Sequence, residues 1–202
     1  MPLGKMFPPN LPPAGSLPDW SDGELLRLIQ DGTNPDGHLS PVMSAMDFRH
    51  ASDEDAHAIV AYLRSQPAIQ NEIEQSSLTP LTLAFIALGM FPFKDLPEAD
   101  SIEPAPVPVG PTSEYGRYIT TFLGCSGCHG DDRTGGAGGL SPKGPSLRIV
   151  KGWSADQCVQ TIRTGVNPTG RVLDEEEMPW RFIFKLDDDE LKGVYAYLLS
   201  FP

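Results

Sequence analysis

The amino-acid sequence predicts an all-α fold with long loops, on three observations. Helix-opening signatures recur: Ser21-x-x-Glu24 and Ser154-x-x-Gln157 are capping boxes, Asp187-x-x-Glu190 opens a further helix, and Ser52-x-x-Asp55 is its weaker counterpart. Glycines suited to a left-handed C-terminal cap, Gly32 and Gly165, close two of these helices. Apolar side chains recur at helical spacing, with Leu191, Val194, Tyr195 and Leu198 at i, i+3, i+4 and i+7.

In chain order, the expected elements begin with a helix from Ser21 to Gly32 and another opening at Ser52. An apolar helix near 78–91 follows, then a helix of roughly Ser113 to Leu123. Helices opening at Ser154 and Asp187 complete the set. Between Gly130 and Gly152, glycine, proline and serine dominate, and the segment reads as loop.

With 202 residues, one or two small domains are expected. Twenty-seven acidic against fifteen basic residues give a net charge of −12. That balance argues against nucleic acid and anionic membrane surfaces as partners, and for basic partners or simple solubility. Three cysteines, two of them held in one motif, leave no disulfide framework.

The chain repeats itself. Trp20-Ser21-Asp22-Gly23-Glu24 reappears as Trp153-Ser154-Ala155-Asp156-Gln157, and each tryptophan is followed twelve positions later by a glycine. Asn34-Pro35-Asp36-Gly37 then matches Asn167-Pro168-Thr169-Gly170. Met43 and Met178 each stand nine residues before a helix start, and the copies close on Ala61-Tyr62-Leu63 and Ala196-Tyr197-Leu198. The offset is 133 at the tryptophans and 135 from the methionines onward.

Only the second copy is preceded by Cys125-Ser126-Gly127-Cys128-His129. Three readings compete for it. A zinc site needs about four soft or imidazole ligands, and the second half has only Cys158 to add. A thioredoxin-like dithiol needs a βαβ setting, and no strand pattern lies nearby. The third reading is c-type haem attachment, for which Cys-x-x-Cys-His is the signature. One helical turn sets both thiols under a porphyrin edge, and the adjacent imidazole then points at the iron.

Between the copies lies a spacer of residues 68–112, so the expected domains are 1–67 and 113–202. Pro104-Ala105-Pro106-Val107-Pro108 reads as a stiff polyproline segment. Before it, an uncharged apolar or threonine run from Leu81 to Phe91 is bracketed by Pro80 and Pro92, too short for the roughly 20 residues of a spanning helix. It reads as a buried packing helix, or as a surface (78–93) for a partner subunit or membrane complex.

With motif, repeat and tail together, Ser113 to Pro202 resembles a class I cytochrome c. The resemblance implies a cytochrome c-like helical domain around one haem c, thioether-linked through Cys125 and Cys128. His129 and Met178, the latter in a Met-Pro-Trp context ahead of the last helix, would be the axial iron ligands. Pro145 and Leu147 of Gly144-Pro145-Ser146-Leu147 would line the proximal side, and Trp153 and Trp180 would lie against the cofactor. An iron with both positions filled passes single electrons between donor and acceptor proteins and carries out no chemical transformation. Such haem attachment implies a periplasmic or other extracytoplasmic location.

The first half resembles the later part of the same fold. Pro9-Asn10-Leu11 matches Pro145-Ser146-Leu147, and Met43 would be the axial ligand of a second haem, although Ser44-Ala45 follows it and Met46 competes. No Cys-x-x-Cys-His precedes it. Met1 to Pro9 does not have the pattern of a signal peptide. The expectation is therefore a di-haem protein whose leading segment lies upstream of Met1, similar to the tandem cytochrome subunits of membrane-associated dehydrogenases. The alternatives are a haem-free docking module in the first half, or a haem enzyme of peroxidase-like or sulfur-oxidising type with one open iron. His38, His50 and His57 are not expected to bind iron. His57 should face solvent, and Cys158, aligned with Leu25, should face the core.

Overall fold

The computed structural model describes residues 4–5, 7, 19–37, 47–74, 76–88, 90, 107–136 and 143–202. The chain divides into two compact units, Met1–Ala105 and Pro106–Pro202, with the boundary inside the proline spacer. Met43, Met46, His38 and the Pro9-Asn10-Leu11 match lie outside the described residues.

In the first unit, α1 (Asp22–Asp31) is closed at both ends as the sequence predicts. Ser21 and Glu24 form the reciprocal capping box, and Gly32 stops the helix at φ 69°, ψ 17°. The α2 helix (Asp53–Ser65) starts on the Ser52 hydroxyl, and a 3₁₀ turn, Asp47–His50, precedes it. Leu25 and Ile29 of α1 meet Val60 of α2, with Trp20, Phe48 and Leu63 around them. Arg64 ties the two ends together, bonding the Trp20 carbonyl and the Asp22 carboxylate. His57 is exposed, as expected.

The apolar stretch forms α3, Pro80–Ala87, of only eight residues. Pro80 suits a first helical position, and the Thr79 hydroxyl accepts from the Thr82 amide. Thr82 is buried, whereas Leu81 and Leu83 are 46% and 53% exposed, so the expected burial of this helix fails at both leucines. No helix among the described residues is long and apolar enough to cross a membrane. Just before α3, β2 (Ser77–Leu78) pairs antiparallel with β1 (Gly4–Lys5), a ribbon the all-α expectation did not contain.

The described residues of the second unit are helices joined by long loops, as the all-α expectation has it, with one isolated β-bridge between Val166 and Val172. Its first and last helices, α4 (Ser113–Phe122) and α8 (Asp188–Leu199), pack at a backbone-to-backbone crossing. A Cβ on Gly116 would stand 1.9 Å from the Gly193 carbonyl oxygen, so only glycine admits this approach. Tyr115 Oη donates to Glu190 across the crossing at 2.9 Å. Leu191 and Leu198 are buried, as their spacing predicts.

The α5 helix is the short turn Ser126–His129. The predicted loop from Gly130 to Gly152 is in part a 3₁₀ helix, Leu147–Gly152, opened by the Ser146 hydroxyl. The α6 helix (Ala155–Thr164) has the same ten-residue length as α1, a capping box of Ser154 and Gln157, and Gly165 at φ 69°, ψ 15°. Cys158 is buried on it, as Leu25 is on α1. The four-residue α7, Trp180–Ile183, leads into α8.

Candidate functional site

The site is built where α4 ends. Gly124 takes a positive φ of 66°, and the Cys125 amide turns back to the Thr120 carbonyl at 3.0 Å. Cys125 thereby becomes the N-cap of α5, with Cys128 and His129 in its single turn. The same turn places both thiols and the imidazole on one cavity wall.

His129 is 95% buried, being 5% exposed. Its Nδ1 lies 2.8 Å from the Pro145 carbonyl oxygen, so the tautomer assigned from this bond is Nδ1–H donating. Nε2 is buried and has no partner among the described residues. A buried basic nitrogen with its lone pair unused costs free energy unless something fills the position. Burial holds this imidazole below the ordinary histidine range and the Arg133 charge adds to the effect, while the Pro145 hydrogen bond opposes it. The neutral form, which a metal requires, is favoured.

The loop reaches the histidine because it contains glycine at the points of closest approach. A Cβ on Gly144 would be 2.7 Å from His129 Nδ1, and one on Gly136 would be 2.0 Å from the Cys128 carbonyl oxygen. The Gly144 amide donates to that same carbonyl at 2.8 Å. Together these contacts deliver the Pro145 carbonyl to the ring.

Around these groups lies a cavity of about 230 Å³, lined by Cys125, Cys128, His129, Pro145, Leu147, Trp153 and Met178 among others. Val150, Ile162, Leu173, Ile183 and Val194 make much of the remaining wall apolar. Met178 is set by its backbone, its amide donating to Asp174 at 2.8 Å and its carbonyl accepting from Trp180 at 2.7 Å. The Trp153 carbonyl accepts from Tyr195 Oη at 2.6 Å, the position that Arg64 serves for Trp20 in the first unit.

Trp180 stands apart from the other expected site residues. It is not in the cavity wall; its indole lies where a Gly165 side chain would be, 2.4 Å from that notional Cβ, and Arg181 stacks 5.2 Å from its centre. Thr161, Asn167 and Arg171 also line the cavity. Asn167 accepts from the Thr169 and Arg171 amides, the Asx turn its Asn-Pro-x-Gly sequence favours, and so holds Arg171 at the rim.

The residues present fit a covalently attached haem. Two cysteines one turn apart, an unpartnered buried imidazole nitrogen and a thioether share one largely apolar cavity. The zinc reading fits less well. Cys158 lines the same cavity, yet no three His, Cys, Asp or Glu side chains among the described residues group as an ion site. Burial pushes the Cys158 thiol up to about 11.

Comparison with curated proteins finds none that matches. Residues 117–198 match the family model described as cytochrome C oxidase, cbb3-type, subunit III. The match begins inside α4, one residue after Gly116, and ends inside α8, so it takes in Gly193 and every residue that lines the cavity. Over those residues the chain is similar to a family of class I cytochrome c domains, which supports a haem-based electron-transfer role in general terms.

Proposed function

We propose that this protein is a single-electron carrier whose second unit holds one haem c through Cys125 and Cys128, with His129 and Met178 on the iron. The observation that carries the reading is His129: Nδ1 committed to the Pro145 carbonyl, Nε2 buried, unpartnered and on the cavity wall. Each cysteine would add its S–H across a vinyl group, forming a thioether that fixes the cofactor to the chain. The haem, when bound, supplies a one-electron change of its iron. The Pro145 hydrogen bond fixes ring orientation and makes Nε2 a stronger donor. The apolar wall excludes water, and Met178, which lines the same cavity as His129, would hold the iron together with it. Arg171 and Lys143, both on the cavity lining, would supply positive charge for the haem carboxylates.

The first unit is proposed as a copy of the same fold that takes a second haem, with Met43 as its ligand. The matched lengths, caps and closing glycines of α1 and α6 support this duplication. The tandem would serve a dehydrogenase or respiratory complex outside the cytoplasm, with the exposed leucines of α3 against a partner subunit.

Potentiometric titration of protein matured with haem tests the carrier reading. A reversible one-electron couple with slow cyanide binding is expected. Rapid cyanide binding would instead favour an enzyme with an open iron.

A further inference from the structure

Arg133 lies at the only positive φ outside glycine among the described residues, 59°. A left-handed backbone is costly for arginine, so something beyond the turn must hold it there. The residue is 4% exposed, and no carboxylate among the described residues pairs with it. Its guanidinium stacks 5.9 Å from the centre of Tyr197 and 5.8 Å from that of Phe201, while Nη1 donates to the Gly130 carbonyl at 2.7 Å. Nε is buried without a partner. The Arg133 carbonyl meanwhile accepts from the Leu147 amide at 2.9 Å. One residue thus fastens the loop that orients His129 to the end of α8, and brings an uncompensated charge into the protein interior.

We propose that Arg133 is a positioning and potential-setting residue, whose buried positive charge beside the His129 loop favours the reduced state of the bound cofactor. The inference rests on the haem reading above. Oxidation adds a positive charge to the iron, and a fixed cation in a poorly screened interior makes that state less favourable. Aromatic faces stabilise the guanidinium without neutralising it.

The test measures midpoint potentials of haem-loaded wild type, Arg133→Gly and Arg133→Lys by spectroelectrochemistry, with thermal melting alongside. Glycine accepts the left-handed backbone and removes only the side chain. We expect Arg133→Gly to lower the reduction equilibrium constant roughly tenfold, about 59 mV for a one-electron couple. Arg133→Lys, which keeps the charge but not the planar stack, should hold the wild-type potential and melt lower. Arg133→Gln gives the same comparison should the glycine variant not fold. Equal potentials in wild type and the neutral variant, or a lysine variant that falls as far as glycine, overturn the inference. Wild type that takes up no haem would instead overturn the haem reading itself.

Discussion

Replacing Gly144 with alanine tests whether the loop is shaped to serve His129. The added methyl would sit 2.7 Å from Nδ1, 2.8 Å from Cε1 and 2.8 Å from the Cys128 carbonyl oxygen. Neither neighbour yields easily, because the ring is buried and the carbonyl already accepts the Gly144 amide. Overpacking of this kind costs about 1–3 kcal/mol. Displacing the ring also breaks the Nδ1–Pro145 bond, leaving a buried donor unsatisfied at a further cost of about 1–3 kcal/mol. The sum is about 2–6 kcal/mol. For a domain of this size each kcal/mol moves the melting point by about 4–8 °C, so a fall of roughly 10 °C or more is expected. Melting of the haem-loaded protein, followed by cofactor absorbance, measures it. A shift under about 2 °C would refute the reasoning, since it would mean the chain does not pass against the imidazole.

Further outcomes follow from the same geometry. Gly116→Ala should destabilise by about 3 kcal/mol or more in urea unfolding, because its methyl meets the Gly193 carbonyl. Gly23→Ala, with open space around it, should stabilise by about 0.4–1 kcal/mol. Ser154→Ala should cost about 1 kcal/mol by the same measurement, as it removes the cap hydroxyl of α6. Cys158 carries a pH dependence. Its folded thiol is raised from 9.0 to about 11, so its contribution is whole below pH 9 and is lost as pH rises through 11. Wild type should therefore lose about 2–3 kcal/mol relative to Cys158→Ala between those limits, read from denaturant midpoints.

The sequence announced whatever is decided within one turn of chain. Ser21, Ser154 and Asp187 cap their helices through side chains three residues on, and Gly32 and Gly165 close theirs at φ 69°. The attachment motif is equally local, and the resemblance carried Pro145 and Met178 to the same cavity wall as His129. What stayed hidden depends on chain brought from far away. Gly116 and Gly193 look like helix-weakening residues until the two helices cross on them. The β1–β2 ribbon joins segments more than 70 residues apart, beyond the reach of any periodicity. Arg133 occupies a backbone conformation that favours glycine or asparagine, and only Tyr197 and Phe201 in space account for its burial. Trp180, which the resemblance places against the cofactor, stands at the start of α7 with its ring beside Gly165, far off in sequence.

The central claim is that haem is covalently held at Cys125 and Cys128. Its most direct measurement is the mass of the proteolytic fragment containing Cys125–His129, taken from denatured protein expressed with c-type maturation machinery. The account predicts a fragment heavier by one haem, returning to the plain peptide mass in the Cys125→Ala, Cys128→Ala double variant. An unmodified fragment from fully matured protein would contradict it.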